Sequence, residues 1–107
     1  MVKYDNCYIP EDNITQENEY GRYARMRDAI NQLAEKYNET PLIYSICQWG
    51  WQDPFNWAWR LGQAWRIDND LKPYWPNIAT VLWEQSRSYL STNFYQHGDM
   101  DILEVGM

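Results

Sequence analysis

The sequence predicts an α/β chain of parallel strands, about half of a (β/α)8 barrel, and three observations lead there. Short apolar, β-branched runs alternate with amphipathic segments along all 107 residues, the pattern of strands and helices in turn. Connections that contain a helix imply parallel strands joined by right-handed crossovers. Polar and acidic residues also gather where each apolar run ends, as they do on the rim of a barrel that carries chemistry. A closed barrel takes roughly 250 residues, so four strands leave both sheet edges open, and residues 1–107 are expected to be part of a single barrel domain.

The elements follow in order. Met1 to Tyr4 is a β-compatible run that stops at Asp5-Asn6, residues whose side chains bond to nearby backbone and favour strand exits. Thr15 or Asn18 is placed to cap a helix in which Tyr23, Met26, Ile30, Leu33, Ala34 and Tyr37 recur at steps of three and four, which is one helix face. Pro41 to Ile46 is continuously apolar between Asn38-Glu39-Thr40 and Gly50, as expected of a strand buried on both faces. Asp53 then offers a cap with Pro54 in the first turn, and Phe55, Ala58, Trp59 and Gly62 share one side of a short helix. Ala64 to Ile67 is a brief strand before the acidic turn Asp68-Asn69-Asp70. A last helix opens near Pro76 with Ile78, Val81, Leu82, Gln85 and Tyr89 on one face. Phe94 to Gly98 is the fourth strand, delivering Asp99 and Asp101 at its exit.

Charge narrows the partners. A net charge of −6 with only nine Lys and Arg, scattered along the chain, argues against a nucleic-acid or anionic-membrane surface. No apolar run approaches the roughly 18 to 20 residues that span a bilayer. A neutral partner fits better, and 17% aromatic content suits a carbohydrate, whose C–H faces pack on flat rings while its hydroxyls need charged partners. Either the protein is cytosolic or its signal peptide lies outside these residues; the sequons Asn13-Ile14-Thr15 and Asn38-Glu39-Thr40 favour the second, a secreted glycoprotein.

Chemistry is concentrated in Ser45 to Leu71, which holds five of the seven tryptophans, together with the Tyr4-Asp5-Asn6-Cys7 corner. Asp5 and Asp70 are candidates for the two carboxyl groups that glycoside hydrolysis sets about one anomeric carbon. The competing reading makes Asp5 a turn residue and Asp70 a helix cap. Arg66, four residues before Asp70, is either half of a surface ion pair or a partly buried fork that holds a carboxylate or sugar hydroxyls. Lys3 falls on the same side of its strand as Asp5. Trp49, Trp51, Trp57 and Trp59 are candidate sugar platforms, with Trp57 and Trp59 more naturally core and Trp49 in the strand-exit turn. Cys47 is an inert buried thiol, a disulfide partner of Cys7, or a pocket-lining group; spacing alone does not separate these. His97 is the only histidine, which removes Ser-His or Cys-His catalysis unless it is the base, and no Gly-x-Ser-x-Gly elbow is present. No His/Cys cluster has zinc spacing, and Asp99-Met-Asp101 lacks the rest of a calcium loop, so no metal or cofactor is expected.

Four blocks in order, Lys3-Tyr-Asp-Asn-Cys7, Ser45-Ile-Cys-Gln-Trp-Gly50, Trp65-Arg-Ile-Asp-Asn-Asp-Leu71 and Gly98-Asp-Met-Asp-Ile-Leu-Glu-Val-Gly106, resemble the α-galactosidases and α-N-acetylgalactosaminidases of glycoside hydrolase family 27, the fungal enzymes most of all. The resemblance covers nearly the whole chain, from the fourth barrel strand to just past the seventh. It implies a retaining enzyme with Asp5 as nucleophile and Asp70 as acid/base, their carboxyl groups roughly 5 to 5.5 Å apart. It further implies sugar contacts from Lys3 and Arg66, a pocket shaped by Asp99 and Asp101, and a disulfide from Cys7 to an upstream cysteine. Cys47 and Trp49 match the loop facing the sugar 2-position and imply an α-galactoside substrate in preference to an N-acetylgalactosaminide. Ile102 departs from the methionine usual there. Taken alone, the 107 residues are expected to be unstable or inactive. The other readings are a noncatalytic carbohydrate-binding fragment and a relative acting on α-N-acetylgalactosaminides or β-L-arabinopyranosides.

Overall fold

In the computed structural model, which describes residues 1–7 and 15–101, four strands form one parallel sheet in sequence order. They are β1 (Val2–Asp5), β2 (Tyr44–Cys47), β3 (Ala64–Arg66) and β4 (His97–Asp99). Helix α1 (Gln16–Tyr37) joins β1 to β2, and α2 (Trp75–Arg87) joins β3 to β4. Between β2 and β3 lie two 3₁₀ turns, Pro54–Asn56 and Ala58–Arg60. The parallel order and the α/β alternation are as the sequence predicts.

Register explains which residues meet. Asp5 pairs with Cys47, the position after the Ile46–Trp65 pair is Cys47 beside Arg66, and Arg66 pairs with Asp99. Partners in a parallel ladder point to the same face, so these four residues form one row across the sheet. Two residues earlier, Lys3, Ser45, Ala64 and His97 make a second row on that same face. The alternate row of Tyr4, Ile46, Trp65 and Gly98 faces the helices. There Tyr4 packs edge-on against Tyr23 of α1 with ring centroids 5.6 Å apart, and Trp65, Ile46, Trp57 and Val81 are buried in the core.

Helix α1 starts at Thr15, whose Oγ1 accepts from the Asn18 N–H at 3.2 Å. Glu17 and Glu19 in its first turn complement the helix dipole. It ends where Asn38 adopts a left-handed φ of 52° and its N–H returns to the last turn. Tyr23, Ile30 and Ala34 are buried as expected, but Leu33 and Tyr37 are exposed. The helix lies on the sheet along the Tyr23–Ile30–Ala34 line, and those two residues fall to one side of it, lining an apolar groove with Leu42.

Three further expectations need correction. Pairing at β2 begins with the Ile43 carbonyl, which accepts from Val2 N–H at 2.8 Å. Leu42 and Ile43 therefore precede the ladder and are exposed, whereas Tyr44 to Cys47 are buried throughout. Asp53 caps nothing: its φ is 48° and its side chain accepts no capping bond, because Trp49, Gly50, Gln52 and Asp53 all carry positive φ and turn the chain before a helix can start. The segment makes 3₁₀ turns instead, anchored by buried Trp57, whose Nε1 donates to the Gln52 carbonyl at 2.9 Å, while Trp59 is exposed. Finally, β4 begins at His97 and not at Phe94. Phe94 and Tyr95 are exposed in a turn closed by Asn93 N–H to the Gln96 carbonyl at 2.8 Å and by Tyr95 N–H to Asn93 Oδ1 at 2.9 Å.

Helix α2 presents Val81 to the sheet, its C-cap Ser88 is buried, and Leu82 and Tyr89 are exposed contrary to expectation. Its seat is Gly98, where an added Cβ would lie 3.0 Å from Ser88 Oγ and 2.6 Å from Gln85 Oε1. Among the described residues no helix is long and apolar enough to cross a membrane.

Candidate active site

The exit of β1 is fastened from α1. Arg22 and Glu19 are buried and paired at 2.5 Å, and the guanidinium also donates to Asn6 Oδ1 at 2.5 Å and to the Cys7 carbonyl at 3.4 Å. Asp5 Oδ1 accepts from Asn6 N–H at 2.8 Å. The first carboxylate is thereby held by a corner that is itself tied to a buried ion pair. Sequence reasoning missed this; the signal available was an acid three residues before a base on one helix face.

At the end of β2, the Tyr23 hydroxyl donates to the Cys47 carbonyl at 3.2 Å. Burial raises that phenol well above its usual range, so it remains a donor. Cys47 is buried, and burial, reinforced by the Asp5 carboxylate beside it, raises its thiol above the usual value. Both cysteines are free thiols, with Cys7 exposed. Iodoacetamide at neutral pH under native conditions is expected to spare Cys47 until denaturant is added. Peptide mass spectrometry showing Cys47 fully labelled without denaturant would overturn that assignment.

Trp49 follows with a φ of 65°, its ring edge-on to Trp51 at 5.7 Å. Gly50, at φ 80°, sits where a Cβ would lie 2.0 Å from the Ile67 carbonyl oxygen, so the β2 exit is pressed against the end of β3.

Arg66 is the centre of the third corner and is buried, with a side chain only 2% exposed. Its guanidinium donates to the Asp68 carbonyl at 3.2 Å and to Asp70 Oδ1 at 3.3 Å, and pairs with Asp101 Oδ1 at 3.2 Å. Asp101 Oδ2 in turn accepts from Leu71 N–H at 2.9 Å, and Asp99 Oδ1 accepts from Asp101 N–H at 2.9 Å. Of the two readings of the Arg66–Asp70 spacing, the partly buried one holds: the guanidinium is inside, and the Asp70 carboxyl projects into solvent at 88% exposure.

Lys3, Asp5, Cys47, Trp49, Arg66 and Asp70 line one cavity of about 360 Å³. Two candidate carboxyl groups, two cations, a thiol and an indole thus share a single space at the carboxyl ends of the strands. Asp99 and Asp101 are absent from its lining; Asp101 reaches it through Arg66, and Asp99 through the Asp101 backbone. Trp57 is core, and Trp51 touches Trp49 edge-on outside the lining. Ile102 lies outside the described residues.

The fold and this rim define the class: part of a (β/α)8 barrel with a carboxylate-bearing pocket at the strand ends. No family profile matches the chain. Individual proteins do. The chain is 39% identical over 85 residues to a probable α-galactosidase B of Talaromyces emersonii, covering 79% of this chain and 18% of that protein. It is 36% identical over 112 residues to a probable α-galactosidase D of Aspergillus niger, covering 98% and 16%. Among solved structures, an α-galactosidase from Saccharomyces cerevisiae superposes with a TM-score of 0.83 at 27% identity, over 97% of this chain and 27% of that one. α-Galactosidase I of Mortierella vinacea superposes at 0.80 and 27% identity, over 97% and 30%. A Saccharomyces cerevisiae enzyme solved with raffinose gives 0.75 at 25%, over 97% and 27%. The chain is therefore a homologue of part of the fungal α-galactosidases, as its sequence blocks suggest, and spans less than a fifth of the curated relatives' length.

Proposed function

We propose that these residues form the catalytic half-rim of a retaining α-galactosidase, with Asp5 as nucleophile and Asp70 as acid/base. The observation that carries this is the single cavity lined by both carboxylates together with Lys3 and Arg66. In the first step an Asp5 oxygen attacks the anomeric carbon and the bond to the leaving oxygen breaks, with Asp70 giving that oxygen its proton. In the second step Asp70 takes a proton from water, which attacks the same carbon and frees Asp5. Lys3 and Arg66 are donors for sugar hydroxyls, and Trp49 with Cys47 bounds the side where the resemblance sets the 2-hydroxyl. The raffinose held by the yeast relative is a galactoside and supports this substrate class. Asp101 acts as a positioning residue through Arg66, and Asp99 by holding the Asp101 amide. No cofactor takes part in either step.

We further infer secretion and glycosylation. Asn38, the exposed end of α1, is an accessible acceptor; Asn13 of the other sequon lies outside the described residues. The exposed Cys7 thiol is available to a cysteine outside these residues, as the resemblance implies.

The test is covalent trapping. A fluorinated galactosyl donor with a good leaving group is expected to leave one galactosyl adduct on the peptide containing Asp5, found by mass spectrometry after digestion. An adduct on Asp70, or none anywhere while the substrate turns over, would sink the nucleophile assignment.

A further inference from the structure

The Glu19–Arg22 pair of α1 does not line the cavity, yet Arg22 reaches the exit of β1. Both residues are buried, at 3% and 7% exposure. A buried ion pair is a poor source of net stability, because taking two charges out of water offsets most of their attraction. Among the described residues Arg22 Nε also has no partner, which adds to the cost. What the arginine does gain is a grip on the corner after Asp5: Nη2 donates to Asn6 Oδ1 at 2.5 Å and Nη1 to the Cys7 carbonyl at 3.4 Å.

We infer that Arg22 is a positioning residue for Asp5 and acts through Asn6. This rests on Asp5 being the nucleophile and extends that reading to how the carboxylate is aimed. Asn6 N–H donates to Asp5 Oδ1 at 2.8 Å, so the direction of that amide sets the direction of the carboxyl group. Arg22 holds Asn6 by its side chain and the next residue by its carbonyl, which leaves the amide little freedom to turn. Glu19 in turn holds the guanidinium, at 2.5 Å. The neighbouring residue of α1 does the same for β2: the Tyr23 hydroxyl donates to the carbonyl of Cys47, the register partner of Asp5. The Arg22 guanidinium lies 5.1 Å from the Tyr23 ring centroid. One turn of the helix layer therefore fixes both strand exits beside the attacking oxygen, where a small displacement is costly to rate.

The test follows two quantities in the active protein that contains these residues. One is the rate constant for covalent trapping of Asp5 by the fluorinated galactosyl donor. The other is the dissociation constant of galactose, read from its protection against trapping. Neither depends on how much of the protein is folded. Arg22→Lys keeps the charge opposite Glu19 but loses the fork that reaches Asn6 and Cys7 together. Asn6→Ala leaves the buried pair in place and decides by itself if Arg22→Lys does not fold. Each is expected to slow trapping about five- to thirtyfold, short of the roughly hundredfold that a 1 Å misplacement can cause, with galactose binding changed by less than about twofold, since aim matters more to the transition state than to the bound ground state. The double variant is expected to be little slower than the slower single one, because the second change removes a link already cut. Trapping at the parental rate in either single variant, galactose binding weakened as far as trapping, or losses that multiply in the double variant would each overturn the inference and leave the nucleophile assignment standing. A parent protein labelled elsewhere than Asp5 overturns both.

Discussion

Alanine in place of Asp5 is expected to lower turnover of every galactoside by about 10⁴- to 10⁶-fold in the active protein that contains these residues, the scale seen when a catalytic nucleophile is removed. Asp70→Ala should differ in kind. For a sugar leaving group, loss of the proton donor is expected to cost about 10²- to 10⁴-fold. Fluoride departs without general acid help, so α-galactosyl fluoride should still load Asp5 quickly. The second step, deprived of its base, should then stall. The expected record is a burst of fluoride release equal to the enzyme present, followed by slow turnover. Near-normal hydrolysis by Asp5→Ala, or equal losses on fluoride and disaccharide with no burst in Asp70→Ala, would mean that the roles are assigned wrongly.

Gly50→Ala is expected to destabilise the fold by about 3 to 5 kcal/mol, among the larger effects of a single substitution. A Cβ at this position would stand 2.0 Å from the Ile67 carbonyl oxygen and 2.7 Å from its carbon. Both are backbone atoms of the neighbouring strand exit and cannot swing aside as a side chain would. The φ of 80° adds a penalty that glycine alone escapes. Gly21 in the middle of α1 is the control, because a Cβ there meets nothing nearer than 4.0 Å. Gly21→Ala should stabilise by up to about 1 kcal/mol through helix propensity. Thermal unfolding of the two variants beside the parent checks both; a Gly50→Ala protein that melts with the parent would show that the two strand exits are not in contact.

The strands were legible because each has a local cause. Tyr44 to Cys47 is apolar or small at every position, and Lys3 and Asp5 alternate with Val2 and Tyr4, so the side facing the pocket follows from a period of two. Helix faces were less legible. Leu33, Leu82 and Tyr89 satisfy the same three- and four-residue spacing as Ile30, Val81 and Ser88, and only the line along which each helix meets the sheet decides between them. The Asp53-Pro54 start failed for a different reason: four positive φ values between Trp49 and Asp53 are a property of the turn as a whole, and only Gly50 announces any of them.

Within the site, spacing alone left Asp5 and Asp70 open to ordinary structural roles; the ordered sequence blocks singled them out, and the register puts Asp5 in the row that faces the cavity. Glu19 and Arg22 could not be assigned in advance, because their partners Asn6 and Cys7 become neighbours only after α1 has packed.

The guanidinium at the third corner carries one further consequence. Asp70 and Asp101 belong to different loops, yet both rest on Arg66, and Asp101 also holds the Leu71 amide next to Asp70. Asp70 therefore inherits its footing from a residue thirty-one places downstream. A replacement tolerated at either carboxylate in one sequence background need not be tolerated in another, so the two loops can drift apart over time only if they drift together: they are bound into a single epistatic unit by one cation.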